Sequence, residues 1–154
     1  MTTTQLSKLP TPVALVDTQR MQANIDTMQS RMNALGVALR PHVKTSKCVD
    51  VVKRQIEAGA RGITVSTLKE AEQFFAAGIT NVLYAVGMVP SKLPQAKALR
   101  ERGCDLKIIV DSVEAALAVA AFGRDQKHVF EVWLEVDTDG HRAGLAPEGD
   151  ALIA

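Results

Sequence analysis

Apolar residues recur along this chain in two alternating rhythms: short runs rich in β-branched residues, and longer stretches with an apolar position every third or fourth residue. The first run, Pro12 to Asp17, predicts a short strand, and Asp17 or Thr18 can cap a helix from about Gln19 to Leu35, with Gly36 beyond its end. Val37 to Lys44 reads as extended, because Pro41 disfavours helical geometry at Arg40. A helix from about Lys47 to Ala58 follows, stopped by Gly59. The unit then repeats. Strands are predicted over Gly62–Ser66, Asn81–Val86, Leu106–Val110 and Val129–Asp137, with helices over Leu68–Ala77, Ser91–Arg102 and Ser112–Phe122 between them, and the start of another near Asp150. The strand starts at 62, 81, 106 and 129 are 19, 25 and 23 residues apart, the spacing of successive βα units in a parallel sheet.

Two architectures share that rhythm, the open doubly wound sheet and the closed (β/α)8 barrel. A dinucleotide-binding doubly wound sheet needs a glycine-rich turn after its first strand. The turns here, Asp17-Thr18-Gln19 and Lys44-Thr45-Ser46-Lys47, contain no glycine. The barrel is therefore the predicted fold, and five of its eight units are recognisable, so the chain is expected to be an incomplete parallel barrel over residues 11–154 behind a polar tail at 1–10. A partial barrel leaves two unpaired edges and an unfilled interior, and is expected to be unstable alone unless it pairs with itself or opens into a sheet.

Composition narrows the function classes. The 154 residues are 47% apolar and 23% charged, with 18 Lys+Arg against 17 Asp+Glu, as in a soluble globular domain. A net charge of +1 gives no electrostatic reason to expect nucleic acid as a partner, and aromatic residues, at 4%, are too few for a base-stacking platform. The longest unbroken apolar run, Ala115 to Phe122, is far shorter than the roughly 20 residues that span a bilayer, so no membrane association is expected. The first eight residues have no cationic stretch leading into an apolar core, which makes the cytoplasm the default compartment. Cys48 and Cys104 stand far apart without a CxxC pattern, against a disulfide framework or a thiolate zinc site.

Three segments could carry chemistry. Arg40-Pro41-His42-Val43-Lys44-Thr45-Ser46-Lys47 closes the first barrel strand, at the carboxyl end where a parallel α/β fold builds its site. Alternation puts His42 and Lys44 on one side and Val43 on the other. A lysine held by apolar neighbours near the cations Arg40 and Lys47 would have a lowered pKa and supply the free amine of Schiff-base chemistry; the alternative is a surface loop of solvated lysines. Leu134 to Gly144 also follows a strand, and Gly140 and Gly144 bracket Arg142, a fork-shaped donor for a phenolate, carboxylate or phosphate, or else a structural arginine paired with Asp137 or Asp139. Its EF-hand-like acidic spacing ends on Ala146 at the twelfth position, against calcium. Thr67 with Glu70 forms a capping box, which accounts for both residues and leaves Ser66 and Thr67 only a minor claim on the site. Asp111 and Ser112 read as a helix cap, and His128 as a solvated loop residue.

These segments together resemble the amino-terminal part of the fold-type III pyridoxal-phosphate enzymes, the alanine-racemase-like barrel, and within it the D-threonine aldolase and D-serine dehydratase branch. The likeness runs through Thr11-Pro12 and Asn24, Arg40-Pro41-His42-x-Lys44-Thr45, Val65-Ser66-Thr67 with Glu70-Ala71, and Asp137 through Arg142-Ala143-Gly144. The resemblance implies a lyase acting on D-β-hydroxy amino acids with pyridoxal 5′-phosphate. In it Lys44 is similar to the lysine that forms the Schiff base, Arg142 to the arginine on the cofactor's phenolic oxygen, and His42 to a nearby orienting residue. Ser46 stands where that branch usually has histidine. The resemblance also implies a small D-amino acid substrate, a homodimer in the full-length form, and a divalent metal near the β-hydroxyl whose ligands, like most of the phosphate site, lie outside this chain. The chain alone is therefore expected to be an amino-terminal fragment with little or no activity. Two alternatives share the fold: a non-catalytic pyridoxal-phosphate-binding barrel protein, and an amino-acid racemase. The second is disfavoured because no Ala-Asn-Ala-Tyr-Gly-like stretch follows Lys44 and Glu135 replaces a frequent lysine.

Overall fold

A computed structural model describes residues 5–152. Its centre is a four-stranded, wholly parallel sheet of β1 (Ile63–Val65), β2 (Asn81–Gly87), β3 (Asp105–Val110) and β4 (Glu131–Leu134), in that spatial order. Helices α1 (Thr18–Ala34) and α2 (Val49–Glu57) precede the sheet, while α3 (Leu68–Ala76), α4 (Leu93–Glu101) and α5 (Val113–Gln126) connect its strands. Neighbours in sequence are neighbours in space, the progression of a (β/α) barrel whose wall is incomplete.

The segment before β1 continues the wall. Thr64 N–H donates to Pro41 O at 2.8 Å, Val43 N–H to Thr64 O at 2.9 Å, and Arg61 N–H to Leu39 O at 2.9 Å, with His42 opposite Thr64 in a parallel bridge. Pro41 has no N–H to give, so the expected strand over 37–44 is reduced to this edge. The expected strand over Pro12–Asp17 is not formed. Val13, Leu15 and Val16 are exposed and pair with no strand among the described residues, and a β-branched run without a ladder partner has no reason to be regular. Of the expected tail, residues 1–4 lie outside the described residues, and Leu6–Lys8 forms a single 3-10 turn. The helix expected near Asp150 is a 3-10 turn over Asp150–Leu152.

The register separates the two faces of the sheet. Val65, Tyr84, Ile108 and Val132 form one row, and the first three are buried against α3, α4 and α5 together with Phe74, Leu93, Leu99 and Val119. One residue back lies the row His42, Thr64, Leu83, Lys107 and Glu131, on the opposite face. Here the buried Lys107 is paired with Asp105 and Glu131, and the Arg40 guanidinium lies 5.9 Å from the Trp133 ring centre while bonding Ile63 O. That polar floor needs Gly62 beneath it. With φ +149°, a Cβ there would stand 2.7 Å from Asn81 O and 2.5 Å from Arg40 Nη1. At the far edge, Val132, Trp133 and Leu134 of β4 are all exposed.

Candidate active site

The carboxyl ends of parallel strands leave short loops whose side chains converge, and the Lys44 segment leaves the wall there. Val43 is buried in the core, whereas His42 and Lys44 are exposed, the alternation the sequence predicts. A tight turn follows, closed by Lys47 N–H to Val43 O at 2.9 Å, with Lys47 itself left-handed at φ +45°. Lys44 N–H donates to His42 Nδ1 at 3.3 Å. A ring nitrogen that accepts is unprotonated, so the neutral imidazole carries its hydrogen on Nε2 and donates to Ser66 Oγ, also at 3.3 Å.

Glu70 anchors the neighbouring turn. Thr67 caps α3 by accepting from Glu70 N–H at 3.0 Å, and the Glu70 carboxylate returns to Thr67 N–H at 3.2 Å, the reciprocal box expected from the sequence. The same carboxylate also takes Ser66 N–H at 2.8 Å and the Lys47 ammonium at 3.1 Å. Burial alone would raise its pKa, but the N–H of Ser66, the Lys47 ammonium and the N–H of Thr67 together bring it below the usual carboxylate range.

These contacts correct the picture of Lys44. It is exposed, not enclosed by apolar neighbours. The two nearby cations are otherwise engaged, Lys47 with Glu70 and Arg40 with Trp133 and Ile63 O. Lys69, Lys92, Lys97 and Lys107 also have partners, so Lys44 is the lysine of this turn whose amine has none among the described residues. Ser66 makes one contact that the capping box does not explain, through its Oγ to the His42 ring. The available signal was register: Ser66 stands two places beyond Thr64 as Lys44 does beyond His42.

Arg142 lies in the loop after β4. Asp137 organises that loop by accepting from the N–H groups of Asp139, Gly140 and Arg142 at 3.3, 3.0 and 3.0 Å. The Arg142 amide is the largest influence holding the Asp137 carboxyl below its ordinary range. Leu145 N–H to Glu135 O and Asp137 N–H to Leu145 O close the base, where Gly144, at φ +124°, leaves no room for a Cβ beside Asp137 N. This closure ends β4 at Leu134 instead of Asp137. The Arg142 guanidinium forms no ion pair among the described residues, so the pairing with Asp137 or Asp139 considered from sequence is replaced by a backbone bond. Lys44 and Arg142 follow the two outer strands at one end of the sheet, whose curvature already brings Arg40 of the first edge onto Trp133 of β4.

The remaining candidates are structural. Ser112 caps α5 by accepting from Ala115 N–H at 3.2 Å. His128 is partly buried, not solvated: its ring meets Phe130 edge-on at 4.6 Å, and its Nε2 is buried without a partner. Cys104 is buried, which pushes its thiol up to about 11, while Cys48 is exposed. No helix among the described residues is long and apolar enough to cross a membrane.

His42 and His128 predict a pH response. Partial desolvation lowers both imidazole pKa values, that of the exposed His42 included, helped by the Lys44 charge at His42 and by Arg100 and Lys97 at His128. The folded chain thus resists protons that the unfolded chain accepts near the ordinary imidazole value of about 6.5. Stability present above that value is lost as pH falls from it toward the lowered folded values. Thermal midpoints measured from about pH 8 to 5 should decline through this window, and less steeply in His128→Gln; a flat profile contradicts the assignment.

The family comparison decides what this arrangement belongs to. Residues 16–154 match the alanine racemase N-terminal domain family. The chain belongs to that family. It is 65% identical over 148 residues to D-threo-3-hydroxyaspartate dehydratase of Delftia sp. (strain HT23), covering 96% of this chain and 39% of that protein. To D-serine dehydratase of Dictyostelium discoideum it is 32% identical, over 93% of this chain and 38% of that protein. The crystal structure of D-threonine aldolase from Filomicrobium marinum superposes with a TM-score of 0.87 at 30% identity, covering 96% of this chain and 40% of that one. The chain thus spans about two fifths of the length of these relatives, and its open sheet is part of an alanine racemase-like barrel.

Proposed function

We propose that this chain carries the cofactor lysine of a pyridoxal-phosphate-dependent lyase acting on D-β-hydroxy amino acids, of the dehydratase or aldolase type, with Lys44 as that lysine. The carrying observation is the Lys44 amine, without a partner among the described residues, at the carboxyl end of the sheet, on a turn whose backbone is held by His42 and whose second lysine is neutralised by Glu70. A primary amine projecting from a turn that a neutral imidazole holds by its backbone fits the carbonyl end of pyridoxal phosphate. When bound, that group supplies an electron-poor ring able to take up negative charge from the substrate's Cα.

The chain's own residues have distinct parts. Lys44 would hold the cofactor covalently and could carry a proton at Nζ. His42 orients the Lys44 backbone through Nδ1. Arg142, in the loop after β4, would offer a permanently charged fork to the cofactor's phenolic oxygen. Among the described residues no cluster of three His, Cys, Asp or Glu side chains could hold a metal ion. The divalent metal that the resemblance implies, with most of the phosphate site, we assign to residues other than these, and we expect little or no turnover from these 154 residues alone. The chain's likeness to D-threo-3-hydroxyaspartate dehydratase and D-serine dehydratase supports the substrate class.

Chirality tests the reading. The absorbance of the chain mixed with pyridoxal phosphate should change on adding D-serine or D-threonine and not the L-enantiomers. Equal responses to both hands would refute the substrate class.

A further inference from the structure

Beyond the lysine itself, the structure contains an unassigned connection between Glu70 and the Lys44 turn. Glu70 fixes Ser66 by its backbone N–H at 2.8 Å. Ser66 Oγ meets His42 Nε2 at 3.3 Å, and His42 Nδ1 accepts Lys44 N–H at 3.3 Å. The other end of the turn is tied to the same carboxylate, by the Lys47 ammonium at 3.1 Å, and is closed by Lys47 N–H to Val43 O. Both ends of the four-residue turn Lys44-Thr45-Ser46-Lys47 therefore lead back to one buried acid on α3.

The chemistry of the imidazole makes one link decisive. In the neutral ring only one nitrogen can accept. Lys44 N–H is held only when that nitrogen is Nδ1, which requires the hydrogen to stay on Nε2. The Lys44 N–H, which can only donate, selects that tautomer, since a hydrogen on Nδ1 would confront it; the Ser66 hydroxyl, able to accept, then gives the Nε2–H a partner and holds the ring in place. Position 66 is well suited, since it leaves β1 in the register where Lys44 leaves the adjoining edge.

We propose that Ser66 is a positioning residue: by accepting the Nε2–H of His42 it keeps Nδ1 available to the Lys44 amide, and so fixes the turn from which the Lys44 amine projects. This deepens the proposed function and rests on Lys44 being the cofactor lysine. Ser66 touches neither the amine nor the cofactor in this account. Its effect passes through His42, and the sequence motif Arg-Pro-His-x-Lys-Thr contributes the two residues it couples.

Nuclear magnetic resonance of the 15N-labelled chain without cofactor tests the link directly. In the unaltered chain at neutral pH, His42 should be protonated at Nε2 alone, and the Lys44 amide should be protected from exchange. Ser66→Ala should give a mixture of tautomers and exchange the Lys44 amide about tenfold faster, the scale of one lost hydrogen bond. Ser66→Thr, which keeps the hydroxyl, should restore both signals. The rate at which pyridoxal phosphate and borohydride label Lys44 should fall several-fold in Ser66→Ala and recover in Ser66→Thr, with the thermal midpoint unchanged between the two variants. An unchanged tautomer and amide in Ser66→Ala, with normal labelling, overturns this proposal alone. Absence of label on Lys44 in the unaltered chain overturns the cofactor reading, and with it the catalytic meaning given to Ser66, whatever the resonances show.

Discussion

Lys44→Ala should eliminate the borohydride-trapped adduct with pyridoxal phosphate, leaving only the background of solvated lysines such as Lys8 and Lys53. The expected size of the effect follows from what the amine does. A covalent link between a lysine and an aldehyde is made by one nucleophile, and no neighbouring residue can replace it. Lys47 is three residues away in sequence, but its ammonium is tied to Glu70 at 3.1 Å, and Lys92 is tied to the Tyr84 hydroxyl at 2.8 Å. Lys44→Arg separates covalency from charge. Guanidinium stays protonated under all ordinary conditions, so this variant keeps the positive charge and should lose the adduct as completely as Lys44→Ala. If Lys44→Arg retained binding of the unreduced cofactor, charge would be holding it; a loss equal to that in Lys44→Ala would identify the nucleophile. Absorbance before and after reduction measures both.

The second large effect belongs to Glu70→Ala, and it falls on stability. Glu70 serves four groups: it takes the N–H of Ser66 and of Thr67, gives its own N–H to Thr67 Oγ1, and neutralises Lys47. Alanine keeps only the backbone bond. Hydrogen bonds to a charged acceptor contribute about 1.5–3 kcal/mol each, but the exposed Lys47 regains water and the freed amides regain part of theirs, so about 2–4 kcal/mol is the expected net loss. Glu70→Gln retains an acceptor oxygen for the two amides and should lose less. Urea denaturation of the three chains checks the ranking. A Glu70→Ala loss under about 0.5 kcal/mol, the range of ordinary surface substitutions, would contradict the central place given to this residue.

Much of this molecule is written locally in the chain. Helices α1 to α4 fall where apolar spacing and glycine stops put them, and both the Thr67–Glu70 box and the Ser112 cap follow from residue type and offset alone, whereas α5 runs through Gly123 to Gln126, four residues past its expected end at Phe122, and stops at the left-handed Lys127. The parallel order of β1 to β4 was legible for the same reason, since each helix is just long enough to return the chain to the next strand. Local information fails where a partner decides. Pro12–Asp17 has strand composition without a strand to pair with, and the end of β4 is set by Leu145, eleven residues beyond Leu134, which takes over the backbone bonding of Glu135 and Asp137. The site shows the same division. Lys44, His42 and Arg142 stand out as residue types at strand ends, but whether Lys44 is enclosed or exposed depends on which cations find partners, and that is a property of the packed α3. Ser66 was hidden because its hydroxyl looks like ordinary polar punctuation before a capped helix. Only the parallel register between His42 and Thr64 brings it to the imidazole.

Peptide mapping of the unaltered chain after reduction with pyridoxal phosphate tests the central claim most directly. One limiting equivalent of cofactor is added, the adduct is reduced with borohydride, and the digest is sequenced by mass spectrometry for pyridoxyl-lysine. The account predicts the modification concentrated on Lys44, in the peptide that also carries Thr45, Ser46 and Lys47. Label spread across Lys8, Lys53 and Lys127 in proportion to their exposure, with Lys44 no more modified than they are, would contradict it.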